Sequence, residues 1–183
     1  MDIFSHGLWA GAVFKFLNLK KTKEKFNPWA AGFWGMFPDL LSFTLPFFWM
    51  LLGLIFGFFS LSQLPGTQEM EPIAQNVPFV FKIIGPLYTA SHSMFVFFVV
   101  FLFVMLICRK PVWVMGGWFI HIFLDIFTHS YDFYPTPFLW PISNWMFNGI
   151  HWGQVWFMVV DIILLVIVYG CLKTREKKPR KKR

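Results

Sequence analysis

The stretch Gly116-Gly117-Trp118-Phe119-Ile120-His121-Ile122-Phe123-Leu124-Asp125-Ile126-Phe127-Thr128-His129-Ser130 is apolar except for three ionisable side chains and two hydroxyls. His121, Asp125 and His129 fall at i, i+4 and i+8. On a helix such positions lie roughly one above the other, so two imidazoles and a carboxylate share one stripe. Lone polar groups are costly to bury in apolar surroundings. Hydrogen bonds to neighbouring helices would satisfy them, and so would ligation of a zinc-like ion, for which His and Asp are good ligands. Three such groups at this spacing favour the metal.

The composition around the stripe excludes an ordinary soluble domain. Of 183 residues 57% are hydrophobic and 14% charged, against about 25% charged in soluble proteins. Several apolar runs approach the ~20 residues that cross a bilayer. The expected fold class is therefore all-α: a polytopic membrane helical bundle of about four to five transmembrane helices. A single membrane-embedded domain spans 1–172, and a basic tail spans 173–183.

The net charge of +7 raises nucleic acid as a partner, and its distribution argues against that. Fifteen of the 16 Lys and Arg lie between Lys15 and Lys25, at Arg109-Lys110, or in the tail from Lys173 to Arg183; Lys82 is the exception. Short basic segments beside apolar runs follow the positive-inside rule, so all three are expected in the cytoplasm and the chain is expected to be a multi-pass membrane protein. The tail is expected against anionic headgroups. Cys108 and Cys171 then fall at cytoplasmic helix ends, where no disulfide is expected. The N-terminal positive charges follow the apolar run, the wrong order for a cleavable signal peptide.

In chain order, residues 3–19 read as a first helix with Gly7 and Gly11 at small-xxx-small spacing. Asn27-Pro28 opens a second, which Pro38-Asp39 is expected to break. The run 47–60 is short for a crossing, and residues 61–85 read as an outer loop. Leu87–Cys108 is the clearest transmembrane helix, with Ser91-His92-Ser93 in its first turns. Val112–Ser130 runs back outward carrying the stripe. Tyr131–Gly153 is an outer loop without Lys or Arg, and Val155–Leu172 is the last helix, holding Asp161. At a rise of about 1.5 Å per residue, His6, Asp39, His92, His121, Asp125, His129 and His151 can converge in the outer half of the membrane. Intramembrane ionisable residues are a functional hypothesis by default.

Several pieces together resemble the LexA-regulated inner-membrane metal-dependent hydrolases, which are related to zinc-dependent phospholipase C. They are Ser5-His6-Gly7, Pro38-Asp39-Leu40, Ser91-His92-Ser93, the block Gly117, His121, Asp125, and Pro137-Phe138-Leu139-Trp140-Pro141. The resemblance implies a phospholipase C-like helical core and one or two ions of zinc or a similar divalent metal. It implies Asp39, His92, His121 and Asp125 as one ligand shell, and His6 with a bridging Asp125 as a second. His129 and His151 are similar to ligands of a third site. The chain departs from the pattern at Leu41 and Val155, where the family and the phospholipases carry acids, and at Leu87-Tyr88-Thr89. The function implied is hydrolysis of a lipid or lipid-linked phosphoester by a metal-activated water, with Asp39 and Asp125 as catalytic acids and membrane lipids as partners. A metal or ion transporter and a catalytically inactive membrane scaffold are the competing readings. A transport pathway needs polar groups through the whole thickness, and the inner helix halves offer almost none besides Asp161.

Overall fold

The computed structural model of the protein describes residues 1–20, 24–58, 60 and 79–177. These residues are predominantly helical: α1 (Ile3–Leu19), α2 (Pro28–Ile55), α3 (Phe79–Lys82), α4 (Ile84–Ser91), α5 (Met94–Cys108), α6 (Gly116–Thr128) and α7 (Val155–Lys177), with a 3-10 turn at Trp113–Met115. Of the expected loop 61–85, residues 61–78 lie outside the described residues, and 79–85 belong largely to α3 and α4.

The helix starts follow from local chemistry. Asp2 caps α1 by accepting from the Ser5 amide, and Asn27 caps α2 by accepting from Trp29 and Ala30 ahead of Pro28 in the first turn. Pro38 does not break α2. The helix runs 28 residues through both Pro38 and Pro46. An internal proline removes one backbone hydrogen bond and distorts the preceding turn, and neighbouring side chains compensate in membrane helices. The bond lost at Pro38 is the one to the Trp34 carbonyl; the His121 ring donates to the next carbonyl, that of Gly35.

The expected single helix Leu87–Cys108 is in fact two. It breaks at His92-Ser93, and the halves meet at 71°. A broken helix among apolar neighbours must find partners for its freed backbone groups. Ser93 caps α5 by accepting from the Val96 amide at 3.1 Å. The Trp118 indole donates to the Ser91 carbonyl at 2.6 Å. The Met94 amide donates to the Phe138 carbonyl at 3.0 Å, and the Ser93 hydroxyl donates to the Trp140 carbonyl. The Pro-x-x-Leu-Trp-Pro segment, Pro137 to Pro141, thus holds the break open.

The centre is a three-helix crossing of α1, α2 and α6, with α4 against α2 and α7 against α1. Two glycines permit it. A Cβ on Gly35 would sit 2.7 Å from the Ala10 Cβ and 2.8 Å from the His6 carbonyl, and one on Gly117 would collide with the Ala31 carbonyl. Behind the crossing, Phe97, Met115, Trp118 and Ile122 form the apolar core. The acid of α7, Asp161, is buried and accepts from the Trp9 indole at 2.7 Å, joining α7 to α1.

The count of spans is lower than the four to five expected. Two helices, α2 and α7, are long and apolar enough to cross a membrane, and the bent pair α3–α4 with α5 makes three if it is one span. The stripe helix α6 has 13 residues, about 20 Å, too short for a hydrocarbon core of about 30 Å. Its ligand face is buried within the bundle. The outer faces of α5 and α7 carry rows of exposed large side chains, among them Leu102, Phe103, Leu106, Ile162, Val166 and Ile167. An apolar surface of that extent is compatible with a membrane location. The basic tail begins inside α7, which continues to Lys177.

Candidate metal centre

Asp39 from α2, His92 at the end of α4, and His121 and Asp125 from α6 converge on one point. One ligand-capable atom from each lies within 4.8 Å of those from the other three, and all four residues are buried. The His92 and His121 Nε2 atoms are 3.0 Å apart. Oδ2 of Asp125 lies 3.1 Å from His121 Nε2 and 3.5 Å from His92 Nε2. Oδ1 of Asp39 lies 3.5 Å from His92 Nε2 and 3.7 Å from His121 Nε2. A tetrahedral shell with bonds of about 2.1 Å sets its ligand atoms about 3.4 Å apart. The observed separations bracket that value.

The far side of each ring decides what the near side can do. Nδ1 of His121 faces the Gly35 carbonyl at 2.7 Å. Nδ1 of His92 faces the Tyr88 carbonyl at 3.0 Å and the Ser91 hydroxyl at 2.9 Å. A carbonyl oxygen only accepts, so each Nδ1 carries the proton. In the neutral rings both Nε2 atoms are then lone pairs, and both point at the cluster. A second shell that fixes the imidazole tautomer in this way is the usual support of a metal-ligating histidine. Asp125 Oδ2 has no hydrogen-bond donor among the described residues. The donor set fits a divalent ion, and the Asp39, His92, His121 and Asp125 group is able to hold one.

Asp125 also faces the other way. Its Oδ1 lies 2.8 Å from His6 Nε2 and 3.2 Å from His129 Nε2. The His6 ring stacks on His121 with centroids 3.7 Å apart, and its Nδ1 has no partner among the described residues. His129 lies one residue past the end of α6 in extended backbone, yet still faces Asp125, with its Nδ1 donating to the Tyr134 carbonyl at 2.6 Å. The α-amino group of Met1 donates to Asp125 Oδ1 at 2.7 Å, and lies 3.2 Å from the Thr128 hydroxyl and 3.0 Å from His129 Nε2.

His151 stands apart from the four-residue group. Its ring packs on Phe133, centroids 4.0 Å apart, and its Nε2 has no partner among the described residues. Leu41 and Val155, where the chain departs from the pattern it resembles, are both exposed. On the continuous helix α2, a side chain two residues past Asp39 points away from the cluster.

The α-amine, the Gly35 carbonyl and Tyr88 are the site's unforeseen members. Tyr88 stacks on His92 with centroids 3.8 Å apart and donates to the Tyr134 carbonyl at 2.9 Å. Every chain has an amine and every residue a carbonyl, so neither carries a signal in residue type. Tyr88 stands four residues before His92, a spacing that on a helix signals contact. No protein-family model, no curated protein and no solved structure matches this chain. The functional reading rests on the site itself.

Proposed function

We propose that the protein is a membrane-embedded metal-dependent hydrolase acting on a phosphoester of a lipid or lipid-linked substrate, with zinc or a similar ion held by Asp39, His92, His121 and Asp125. One observation carries the reading: two tautomer-fixed imidazole lone pairs and two carboxylates face one another at tetrahedral-ligand spacings. Imidazole nitrogen and carboxylate oxygen together suit zinc better than calcium or magnesium, which prefer oxygen alone.

A bound ion of this kind supplies Lewis acidity to a phosphoryl oxygen and lowers the pKa of a water to about 7. The chain's residues do the rest. His92 and His121 are held against rotation by their Nδ1 bonds. Asp125 is fully buried and ties the α6 stripe to His6 and His129. Asp39 alone of the four also lines an adjoining cavity. Four protein ligands would close a tetrahedral ion, whereas a catalytic one keeps its fourth position for water; Asp39 is the member that would leave that position open and take the proton as general base. In the proposed topology the basic segments and the C-terminus are cytoplasmic, which sets the cavity on the outer side.

The test is metal analysis of detergent-purified protein together with turnover of a phosphodiester and phosphomonoester panel. Stoichiometric zinc that is lost in His121→Ala and Asp125→Ala, with hydrolysis in the wild type, is the expected result. Absence of metal from the wild type after zinc loading overturns it. Bound metal without turnover moves the protein to the transporter or inactive-scaffold reading.

A further inference from the structure

A cavity of about 380 Å³ adjoins the metal centre, within the range of about 300–1,000 Å³ usual for small-ligand sites. Asp39 and His129 stand on its wall, as does Asp2. The remainder is hydrocarbon or aromatic in character, with Phe43, Phe47, Phe133 and Trp152 prominent. No Lys or Arg lines it. Asp39, Phe43 and Phe47 recur at i, i+4 and i+8, so this wall follows one face of α2 for about 12 Å away from the ligand carboxylate.

Two properties of a ligand follow. Its bulk must be apolar, because these walls offer a polar chain almost nothing to pair with, and burying unpaired polar groups is costly. Its charge must be small. Asp2, Asp39 and Asp125 stand against the Met1 α-amine, which is paired with Asp125, and one divalent ion; that balance leaves no net positive charge to offset a multiply charged head such as a diphosphate.

We propose that this cavity seats the hydrocarbon chain of a single-chain amphiphile bearing at most one net negative charge, with the chain lying along Phe43 and Phe47 and the polar linkage beside Asp39. The assignment rests on the hydrolase reading for what happens at the linkage, and on the cavity alone for what binds. Apolar length beside the site therefore sets specificity, and of Asp39, Phe43 and Phe47 the last stands furthest along this face of α2.

Photolabelling separates the two readings because it needs no turnover. Zinc-loaded full-length protein in detergent is irradiated with an alkyl-diazirine probe carrying a phosphocholine head, or with the same chain carrying a diphosphate head, and labelled peptides are mapped by mass spectrometry. The expected result is saturable labelling of peptides containing Phe43, Phe47, Phe133 or Trp152, stronger for the phosphocholine probe. Phe43→Trp, which fills the cavity, should make binding roughly tenfold weaker with zinc content retained. Leu102→Trp on the exposed face of α5 should leave the labelling unchanged. Saturable labelling without hydrolysis upholds the cavity and defeats the hydrolase reading. Hydrolysis with labelling that is unsaturable, indifferent to Phe43→Trp, or stronger for the diphosphate probe overturns the cavity assignment.

Discussion

Nε2 of His92 and Nε2 of His121 face each other at 3.0 Å, while Nδ1 of each ring is bonded to a backbone carbonyl. Two neutral imidazoles in this arrangement present lone pair to lone pair. The contact is favourable with a proton or a cation between them, and the carboxylates of Asp39 and Asp125 on either side favour the higher charge. The relationship suits the cluster to hold a cation in chemistry as well as in spacing.

Metal removal should destabilise the fold. An ion that binds only the native state adds about 2.7 kcal/mol when present at a hundredfold excess over its Kd. Thermal unfolding in detergent should shift downward after chelation and recover on zinc addition. An unchanged transition under both conditions excludes a structural contribution from the ion.

Asp125 faces His121 and His92 on one side and His6, His129 and the Met1 amine on the other. Asp125→Asn keeps the shape and removes the charge. Breaking a buried ionic network by neutralising one member costs on the order of 3 kcal/mol. Metal content should fall to background, whereas Asp132→Asn, at an exposed position, should match the wild type by elemental analysis.

Ser91 supports the site without entering it. Its hydroxyl lies 2.9 Å from His92 Nδ1 and 3.1 Å from the Ser42 hydroxyl. Ser91→Ala should weaken zinc by about ten- to a hundredfold, the usual cost of losing an outer-shell partner, at unchanged stoichiometry. Competition with a chromophoric chelator measures it. Equal affinities would mean that the Tyr88 carbonyl alone holds the ring.

Gly117 sits where α6 meets α2, and an added methyl would collide with the Ala31 carbonyl. Gly117→Ala should cost at least about 1–3 kcal/mol by overpacking and lower zinc affinity, since α6 carries two ligands. Gly170→Ala inside α7 meets nothing within 4 Å and should leave the unfolding temperature no lower than the wild type, Ala being the better helix former.

Trp118→Phe retains the aromatic packing on Phe97 and Trp34 but strands the Ser91 carbonyl. An unsatisfied buried acceptor costs about 1–3 kcal/mol. Because this bond holds the break that presents His92, the variant should lose zinc affinity as well as stability. Loss of stability alone would show that Ser93 and its contacts with Phe138 and Trp140 suffice to place His92.

Much of this was legible along the chain. Low charge and apolar runs near bilayer length together point to a helical, membrane-compatible fold, because 14% charged residues fall well short of the about 25% of soluble domains. The period of four alone sets His121 beside Asp125, because helix geometry is local. Long-range facts were decided elsewhere. Pro38 reads as a stop, yet α2 continues through it, because a long helix packed against its neighbours tolerates the single bond lost to the Trp34 carbonyl. Leu87–Cys108 reads as one helix, yet it bends, because Trp118, Phe138 and Trp140 satisfy its open backbone. The stripe helix reads as a span, yet α6 is short, its ligand face enclosed by α1, α2 and α4. Spacing could nominate seven ligand residues. Only the packing of α1, α2 and α6 across Gly35 and Gly117 could select four that meet and leave His151 apart, because contact between distant segments is set by the shape of the interface and by no period along the chain.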